Sequence, residues 1–432
     1  MNLDDGDAVA ASLRTALLDD LAPDRAAGAP PYLFGAPRLE RFLQGNERRV
    51  PDAAAHFRKM LHWRREVDMA ERRKEVIGKP WNAESVPGLP YLLHCLRSNI
   101  DFYTSSGDLI WVQCDGSARL DSLMAVSDED LFNTIYLMCE LRAEHLDRLS
   151  EQQGRLVRTV HIRDLSGLSI SGLLRDRAVM GRLKAVLSVV NLAYPENVSK
   201  LMLMNMPAGF NLLWAALQPL FNDRIKQKFK FLSHHNYVAE IVEAVGVQGL
   251  EALVKGRRHA CENPAVAIEV SAGMVEYACL RVEAGQVARW SFIVGGGGEL
   301  QQRVFFATIG IKERAHEVRP RSSIRGSEAG SYEAQEQGLV FFTWVNPSAW
   351  GRPKRIERLS LVALSTSDVA RGDSKRWGRR AARDETCGCF GAWSLFGEAQ
   401  EFSDDSPVDP GQVQLSSCEL TSVATSTGTS AG

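Results

Sequence analysis

The stretch AYPENVSKLMLMNMPAGFNLLWAALQPLF, residues 193–221, carries no charged side chain from Leu201 to Phe221. These 21 uncharged residues have about the length that crosses a bilayer as a helix. A membrane-spanning helix would, however, bury the amides of Asn205 and Asn211 in hydrocarbon and carry Pro219 near its end. The stretch therefore predicts a very apolar segment of a globular protein rather than a membrane span.

The first part of this stretch alternates in the manner of a strand, with Leu201 and Leu203 on one face and Met202 and Met204 on the other. A proline and a glycine then break the strand, and the helix predicted from Phe210 onward is apolar nearly all round. Such a helix must be buried or must face lipid. Two interpretations fit: an ordinary core, which composition alone favours, or the wall of a hydrocarbon-binding cavity, for which methionine is an adaptable lining.

The 432-residue chain is long enough for two or three domains with sizeable cores. Charged residues make up 24% of it and the formal net charge is −2, so no overall attraction to nucleic acid is expected. The N-terminal sequence is acidic and lacks the continuous apolar core of a signal peptide. Most of the eight cysteines lie in apolar runs, as is typical of free thiols in a reducing compartment. We therefore expect a cytoplasmic protein.

The chain divides into four predicted zones. Residues 1–90 are predicted to be helical, and in residues 91–260 β-like runs alternate with helical ones, which predicts a mainly parallel sheet flanked by helices. Residues 262–366 hold six short β runs typical of an antiparallel sandwich, with residues 318–338 predicted as a long polar loop. Residues 367–432 are poor in aliphatic side chains, which predicts a disordered tail.

No motif of covalent catalysis is complete. The segment GLSISG, residues 167–172, has Ser171 where a nucleophile elbow requires its last glycine. The four glycines at 295–298 lack the lysine and hydroxyl residue of a phosphate-binding loop. Cysteine and histidine pairs at zinc-ligand spacing are absent. We predict that the protein is not an enzyme and holds no metal and no cofactor other than a bound ligand.

Several motifs, in this order, resemble the CRAL-TRIO lipid-transfer family. They are RLERFLQGNERRVPDAAAHFRKMLHWRREVD (residues 38–68), VHIRDLSGLSISGL (160–173), the stretch at 193–221, and RIKQKFKFL (224–232). The later segments GQVARWSFIVGGGGELQQRVFF (285–306) and VFFTWVNPSAWGRPKRIERLSLVAL (340–364) are similar to GOLD domains. The combination resembles supernatant-protein-factor-like and patellin-like proteins. It implies a helical region, an α/β domain enclosing an apolar cavity, and a GOLD-like sandwich.

The resemblance also implies a headgroup site. Glu196 and Lys228 match the acidic and basic residues with which phosphatidylinositol-binding members hold the headgroup. Asn197 stands where those members usually have arginine. Thr159 and His161 match the positions of two hydroxyl residues that hold phosphatidylcholine, with a histidine in place of the second. On a strand these two side chains share one face, so both are expected to face the cavity.

The cavity and its gate are predicted from the same comparison and from the apolar stretch. The gate helix of the family matches the predicted helix of residues 210–221. The residues assigned to the cavity and the gate are Trp111, Met204, Phe210, Leu213, Trp214, Leu217 and Phe221. We expect the gate to open at a membrane, where its apolar face exchanges water for lipid.

The resulting prediction is a lipid-binding and lipid-transfer protein, cytoplasmic and peripherally associated with membranes. Its expected ligand is a phospholipid (phosphatidylinositol, phosphatidylcholine or both) or another hydrophobic molecule, and its GOLD-like domain is expected to contact a protein or a membrane. Two alternatives stay open: a lipid-sensing adaptor in membrane trafficking, and a carrier of tocopherol or an isoprenoid. In the tail, Cys387 and Cys389 follow a basic segment, which makes them candidate acylation sites.

Overall fold

A computed structural model describes residues 3–26, 29–76, 97–117, 124–257, 268–295, 298–348, 352–365 and 369. The N-terminal zone is helical. Its helices are α1 (Leu3–Ala16), α2 (Leu18–Ala26), α3 (Ala36–Gly45), α4 (Val50–Glu66) and α5 (Met69–Val76). Helix α4 has a proline in its first turn and Asp52 beside it, where a missing N–H and a negative charge are best tolerated.

The central zone is a five-stranded sheet with helices on both faces. Its strands are β1 (Arg97–Tyr103), β2 (Leu109–Cys114), β3 (Thr159–Asp164), β4 (Val198–Met204) and β5 (Phe229–Phe231). Its helices are α6 (Asp128–Gln153), α7 (Ile170–Arg175), α8 (Arg177–Ala193), α9 (Phe210–Leu217), α10 (Asp223–Lys226), α11 (Tyr237–Val245) and α12 (Gln248–Arg257). The strands lie in the order β1-β2-β3-β4-β5. Only β1 is antiparallel to its neighbour, so the predicted mainly parallel sheet is confirmed.

Alternation along the strands divides the sheet into two faces with different environments. On β3, Val160 and Ile162 belong to a buried core that includes α11 and α12. His161 and Arg163 point to the other face and line a cavity. The N-terminal helices pack outside α6 and α8, in a core built around Phe42, Phe57 and Leu61.

The C-terminal zone is a sandwich of two four-stranded antiparallel sheets. Its strands are β6 (Ile268–Val270), β7 (Val275–Val282), β8 (Gln286–Gly295), β9 (Leu300–Thr308), β10 (Ala315–Ile324), β11 (Gly326–Glu333), β12 (Gly338–Val345) and β13 (Lys354–Ser365). The orders are β10-β9-β12-β7 and β11-β8-β13-β6. Both sheets contribute aromatic rings to one core, in which Phe292 meets Trp344 edge-on at 5.6 Å.

The prediction of a long polar loop at residues 318–338 is wrong, because most of that segment forms β10 and β11. Each of these strands is the edge of its sheet, and edge strands carry polar residues that discourage further pairing. Pro320 is compatible with such an edge, where one side of the strand has no ladder partner. On β11 the ring of Trp290 occupies the space where a Cβ of Gly330 would lie, which explains a glycine inside a strand.

The sandwich and the α/β zone share a continuous core. Helices α11 and α12 lie between the five-stranded sheet and the sheet that contains β7. Tyr277 and Phe341 of the sandwich belong to the same buried cluster as Ile162 and Met202. All described helices and strands lie within one compact unit, Met1–Glu398. The predicted disordered tail at 367–432, with Cys387 and Cys389, lies outside the described residues except for position 369.

Candidate functional site

The candidate site is a cavity of about 490 Å³ between the five-stranded sheet and helices α6 to α9. Its volume lies within the range of about 300–1,000 Å³ that is typical of small-molecule sites. Aliphatic side chains of α8 and α9 make up much of its wall, among them Leu183, Val186 and Leu187. The opposite wall is the face of the sheet that carries His161, to which Leu201 and Leu203 of β4 contribute.

Most of the residues predicted for the site lie together in this cavity. Those that line it are Trp111, His161, Glu196, Phe210, Leu213, Trp214, Leu217, Phe221 and Lys228. They come from strands β2 and β3, from the segments that precede β4 and β5, and from the segment at 210–221. The family resemblance and the apolar stretch assigned these nine positions, and in the structure all nine lie around one cavity.

Two predicted residues lie elsewhere. Met204 is fully buried in the core behind the sheet, with Met202 and Ile241, and its predicted place in the cavity is corrected. The predicted alternation is correct, since the leucines and the methionines of β4 lie on opposite faces of the sheet. The methionine face packs against helices, and the leucine face lines the cavity. Thr159 is buried at the start of β3 and does not line the cavity. Its hydroxyl has no hydrogen-bond partner.

Helix α9 closes one side of the cavity and continues as a short 3₁₀ turn, Gln218–Leu220. The ring of Trp214 packs against two phenylalanines of β5, with its centroid 4.7 Å from that of Phe229 and 5.3 Å from that of Phe231. Its neighbour Leu213 is 5% exposed and packs on α7 and α8, whereas Leu212 is 65% exposed. The helix thus has an inner face toward the cavity and an apolar outer position in water.

Two residues of the segment before α9 have left-handed backbone conformations. Asn205 has a φ of 51° and Gly209 a φ of 83°, and the left-handed region is favourable for glycine and tolerated by asparagine. The amide of Asn205 donates to Oδ1 of Asp164 at 2.9 Å and to the hydroxyl of Tyr277 at 2.8 Å. These bonds hold Asn205 to the sheet and to the sandwich.

A basic cluster surrounds Glu196 at the ends where β3, β4 and β5 begin. Oε1 of Glu196 lies 2.7 Å from Nε of Arg224 and 2.9 Å from Nζ of Lys228. Its Oε2 lies 3.7 Å from Nε of Arg158. One carboxylate is thus shared by three cations. The Arg224 side chain is 42% exposed, so the cluster reaches the solvent.

The electrostatics of the cluster reflect this excess of positive charge. Burial raises the pKa of the Glu196 carboxyl, but the hydrogen bond from Arg224 and the charge of Lys228 outweigh burial and lower that pKa below its ordinary value. Burial also lowers the pKa of Lys228 from its ordinary value, and the repulsion of Arg158 and Arg224 adds to this effect against the attraction of Glu196. A further anion would relieve that repulsion.

Helix α3 positions the segment that carries Glu196. Arg41 is fully buried, and its Nη1 donates to the carbonyl oxygen of Glu196 at 3.0 Å while Nη2 donates to that of Val157 at 2.7 Å. Its Nε donates to Asp147 of α6 at 2.7 Å. Glu196 itself has a φ of 58°, a conformation that needs support in a residue other than glycine. Arg41 provides that support.

Sequence reasoning missed Arg142 and Arg224, which line the cavity, and Arg158, which pairs with Glu196. Arg224 is the first residue of the quoted motif RIKQKFKFL, and Arg158 precedes β3, but nothing in their spacing shows that they converge on Glu196. Arg142 lies on α6 with its guanidinium carbon 4.1 Å from the centre of the Trp111 ring. In the described part of the chain no group of histidine, cysteine and acidic residues has the arrangement of a metal site, and no helix there is long and apolar enough to cross a membrane.

Comparison with known proteins identifies the α/β zone. Residues 115–256 match the sequence profile of the CRAL/TRIO domain. The chain carries a CRAL/TRIO domain. This match covers strands β3 to β5 and helices α6 to α12, except for Arg257 at the end of α12. It also covers most of the cavity wall.

Two curated proteins are similar to about half of this chain. A CRAL-TRIO domain-containing protein of Caenorhabditis elegans is 23% identical over 208 residues, which are 48% of this chain and 48% of that protein. The Sec14 cytosolic factor of Schizosaccharomyces pombe is 22% identical over 236 residues, 52% of this chain and 75% of that protein. The chain thus spans about half the length of the first relative. The crystal structure of Sfh5 aligns with 48% of this chain and 69% of its own, at 15% identity and a TM-score of 0.38.

Proposed function

We propose that the CRAL/TRIO domain binds a phospholipid and transfers it between membranes, with phosphatidylinositol as the preferred headgroup. The observation that carries this proposal is the sharing of Glu196 among Lys228, Arg224 and Arg158 at the solvent-reaching end of an apolar cavity. Charge-assisted hydrogen bonds to phosphate are among the strongest that a protein side chain makes. A phosphate at this position would reduce the excess of positive charge.

The apolar part of the cavity would bind the acyl chain of the lipid. Burial of a chain of about 16 carbons is worth on the order of 10 kcal/mol, at about 0.8 kcal/mol for each methylene. A dry cavity walled by Leu183, Val186 and Leu217 can therefore compete with a bilayer for the lipid. Binding of this kind requires no covalent chemistry, and we propose a carrier rather than an enzyme.

Release and uptake are assigned to α9. Two exposed side chains lie at this helix, which we call the lid: Leu212 on the helix itself, 65% exposed, and Phe231 of β5, which packs against Trp214 and is 44% exposed. We infer that they enter the membrane surface while the hinge between Asn205 and Gly209 lets α9 move. Transient contact of this type corresponds to a cytoplasmic, peripherally bound protein. The sandwich, interpreted as a GOLD-like domain, supplies a contact to a protein or a membrane in membrane trafficking.

The test is transfer of fluorescent phosphatidylinositol and phosphatidylcholine between vesicles by wild type, Lys228→Ala and Lys184→Ala. If Lys228 holds the inositol phosphate headgroup and phosphatidylcholine is held at other positions, as the family resemblance implies, Lys228→Ala should reduce phosphatidylinositol transfer by about tenfold or more and leave phosphatidylcholine transfer nearly unchanged. Lys184 is an exposed lysine of α8 and serves as the matched control. Equal loss of both transfers in Lys228→Ala would show that the lysine has a structural role only, and absence of any lipid transfer by wild type would refute the proposed function.

A further inference from the structure

A second polar cluster lies inside the cavity, on the middle of the sheet. Trp111 of β2 and His161 of β3 are paired in register, and their rings stack with centroids 4.3 Å apart and planes inclined by 12°. The guanidinium of Arg142 covers the Trp111 ring, with its central carbon 4.1 Å from the ring centre. All three residues line the cavity. We call them the Arg142 cluster.

The charge of Arg142 is not balanced by a carboxylate. Among the described residues, its contacts are the Trp111 ring and the sulfur of Cys139, which lies 3.6 Å from Nη2. Burial lowers the pKa of the Arg142 guanidinium from its ordinary value, with Cys139 and Tyr194 opposing that effect. A desolvated cation that lacks an anion is energetically unfavourable. A binding partner with negative charge would compensate it.

The carboxylates that line the cavity are already engaged. Asp115 accepts from Nε of Arg163 at 2.8 Å and from the amide of Gln113 at 2.8 Å. Glu196 is held by the basic cluster described above. Neither is therefore the missing partner of Arg142.

The two rings of the cluster add unpartnered polar atoms. Nε1 of Trp111 and Nε2 of His161 are buried and have no hydrogen-bond partner. The indole N–H can only donate, so its partner must be an acceptor. Burial, followed by the charges of Arg163 and Arg142, holds the pKa of His161 well below its ordinary value, so the imidazole is neutral and keeps one N–H.

This arrangement discriminates between ligand groups. A quaternary ammonium group placed against Trp111 would meet the like charge of Arg142, which already covers that ring. A group with anionic oxygens would instead pair with the guanidinium and accept from the indole N–H. The chemistry of the cluster thus favours an oxyanion over a cation.

We propose that the Arg142 cluster is an oxyanion subsite, which binds the carboxylate or phosphate oxygens of an acidic lipid inside the cavity. This inference rests on the proposed lipid-binding function and adds the charge class of the ligand. The subsite is separate from the basic cluster, since Arg158 precedes β3 and His161 lies three residues further along the chain, in a strand that rises about 3.3 Å per residue. An acidic amphiphile held at Arg142 would direct its chain along the aliphatic wall toward α9.

The experiment measures binding of oleic acid, methyl oleate and oleoyl-lysophosphatidic acid to the full chain. We expect wild type to bind at least one of the two acids more tightly than methyl oleate. Removal of the charge in Arg142→Met should weaken the binding of that acid by roughly 10- to 100-fold. The affinity for methyl oleate should stay within about threefold of the wild-type value. Arg175→Met is the matched control, because Arg175 is an exposed arginine at the end of α7, and it should leave the binding of oleic acid unchanged.

A second measurement does not depend on a variant. In wild type loaded with carboxyl-¹³C oleic acid, the carboxyl resonance should titrate at a lower pH than in Arg142→Met or in detergent micelles, because a guanidinium stabilises the ionised form. If Arg142→Met fails to fold, the comparison with micelles decides. If Arg142→Met weakens the binding of oleic acid, the subsite accepts a carboxylate. If it weakens only the binding of oleoyl-lysophosphatidic acid, the subsite requires a phosphate.

Two outcomes overturn the inference in distinguishable ways. Equal binding of acid and ester by wild type, with no effect of Arg142→Met, would refute the oxyanion subsite while phosphatidylinositol transfer persists. Failure of wild type to bind any of the three amphiphiles or to transfer phosphatidylinositol would refute both the subsite and the proposed function.

Discussion

The hydroxyl of Tyr277 donates a hydrogen bond of 2.8 Å to Oδ2 of Asp164. Tyr277 belongs to the sandwich and Asp164 ends the third strand of the CRAL/TRIO sheet. The same carboxylate pairs with Arg257 at 3.0 Å and accepts from the amide of Asn205 at 2.9 Å. One fully buried carboxylate therefore joins the sandwich, the last helix of the α/β zone and the segment that precedes α9.

The substitution Tyr277→Phe should destabilise the protein by about 1–3 kcal/mol, because it leaves an oxygen of a buried carboxylate without one of its donors. The free energy of unfolding, measured in urea, checks this value. Tyr332→Phe is the control, since the Tyr332 hydroxyl lies 3.5 Å from His316 at an exposed site and its loss should cost less than about 0.5 kcal/mol. Equal effects of the two substitutions would contradict the role assigned to Tyr277.

The substitution Leu212→Glu should slow lipid exchange by about tenfold or more while leaving the fold intact. Leu212 is exposed on the lid, and a carboxylate at a position that enters the bilayer costs several kcal/mol. Vesicle transfer measures the exchange, and thermal unfolding measures the fold. Normal transfer by Leu212→Glu would place the membrane contact elsewhere.

The neighbouring substitution Leu213→Glu should behave differently. Leu213 is 5% exposed and packs on Ile170 and Val179, so an unpaired carboxylate there should destabilise the protein by several kcal/mol. Thermal unfolding of the two variants side by side measures the difference. If Leu213→Glu were as stable as wild type, the inner face of the helix would not be packed as described.

Acid should weaken the junction between the N-terminal helices and α6. Burial raises the pKa of Glu140, but the charges of Arg64 and Arg38 and the hydrogen bonds from Arg64 and Tyr32 outweigh burial and lower that pKa to about 2. A carboxyl whose pKa is depressed on folding stabilises the protein above its ordinary pKa of 4.5, and that stability is lost as the pH falls toward about 2. The contribution at neutral pH is on the order of 3 kcal/mol.

Glu140→Gln should therefore be less stable than wild type at pH 7, and the difference should shrink between about pH 4.5 and pH 2. Urea unfolding as a function of pH measures it. Glu66→Gln is the control, because the carboxylate of Glu66 is 60% exposed beside His62. A difference that is independent of pH would show that the charge of Glu140 is not what stabilises the junction.

The tail prediction concerns Cys387 and Cys389, which lie outside the described residues. Six basic residues precede the two cysteines, and each contributes about 1 kcal/mol near an anionic leaflet. One acyl chain together with such a segment is sufficient for stable anchoring. The membrane-bound fraction in cells should fall in Cys387→Ser/Cys389→Ser, with loss of hydroxylamine-sensitive acyl label. An unchanged fraction without any thioester label would refute acylation.

The sequence predicted the parts of the fold whose signal is local. Strand β4 follows from alternation and helix α9 from an uninterrupted apolar run, and both signals lie within one short segment of the sequence. Glu196 and Lys228 were paired through family resemblance, and their side chains lie 2.9 Å apart. The functional role of that pair stays a prediction.

The rest depends on tertiary neighbours, which a local pattern does not contain. Alternation separates Met204 from Leu203, but it does not show which face of β4 meets helices and which meets a cavity. Strands β10 and β11 escaped detection because edge strands have little apolar surface to bury. Arg142 contacts Trp111 only because α6 crosses the sheet at that point.

The core shared by the sandwich and the CRAL/TRIO domain limits how the chain can be truncated and how its domains can be recombined in evolution. Tyr277 and Phe341 cover the same buried surface as Ile162 and Met202. A fragment that stops after Arg257 would expose this surface to water, and we expect it to aggregate. The α/β zone of this chain is therefore not a portable module: a gene rearrangement that separates it from its sandwich would have to evolve a replacement cover at the same time.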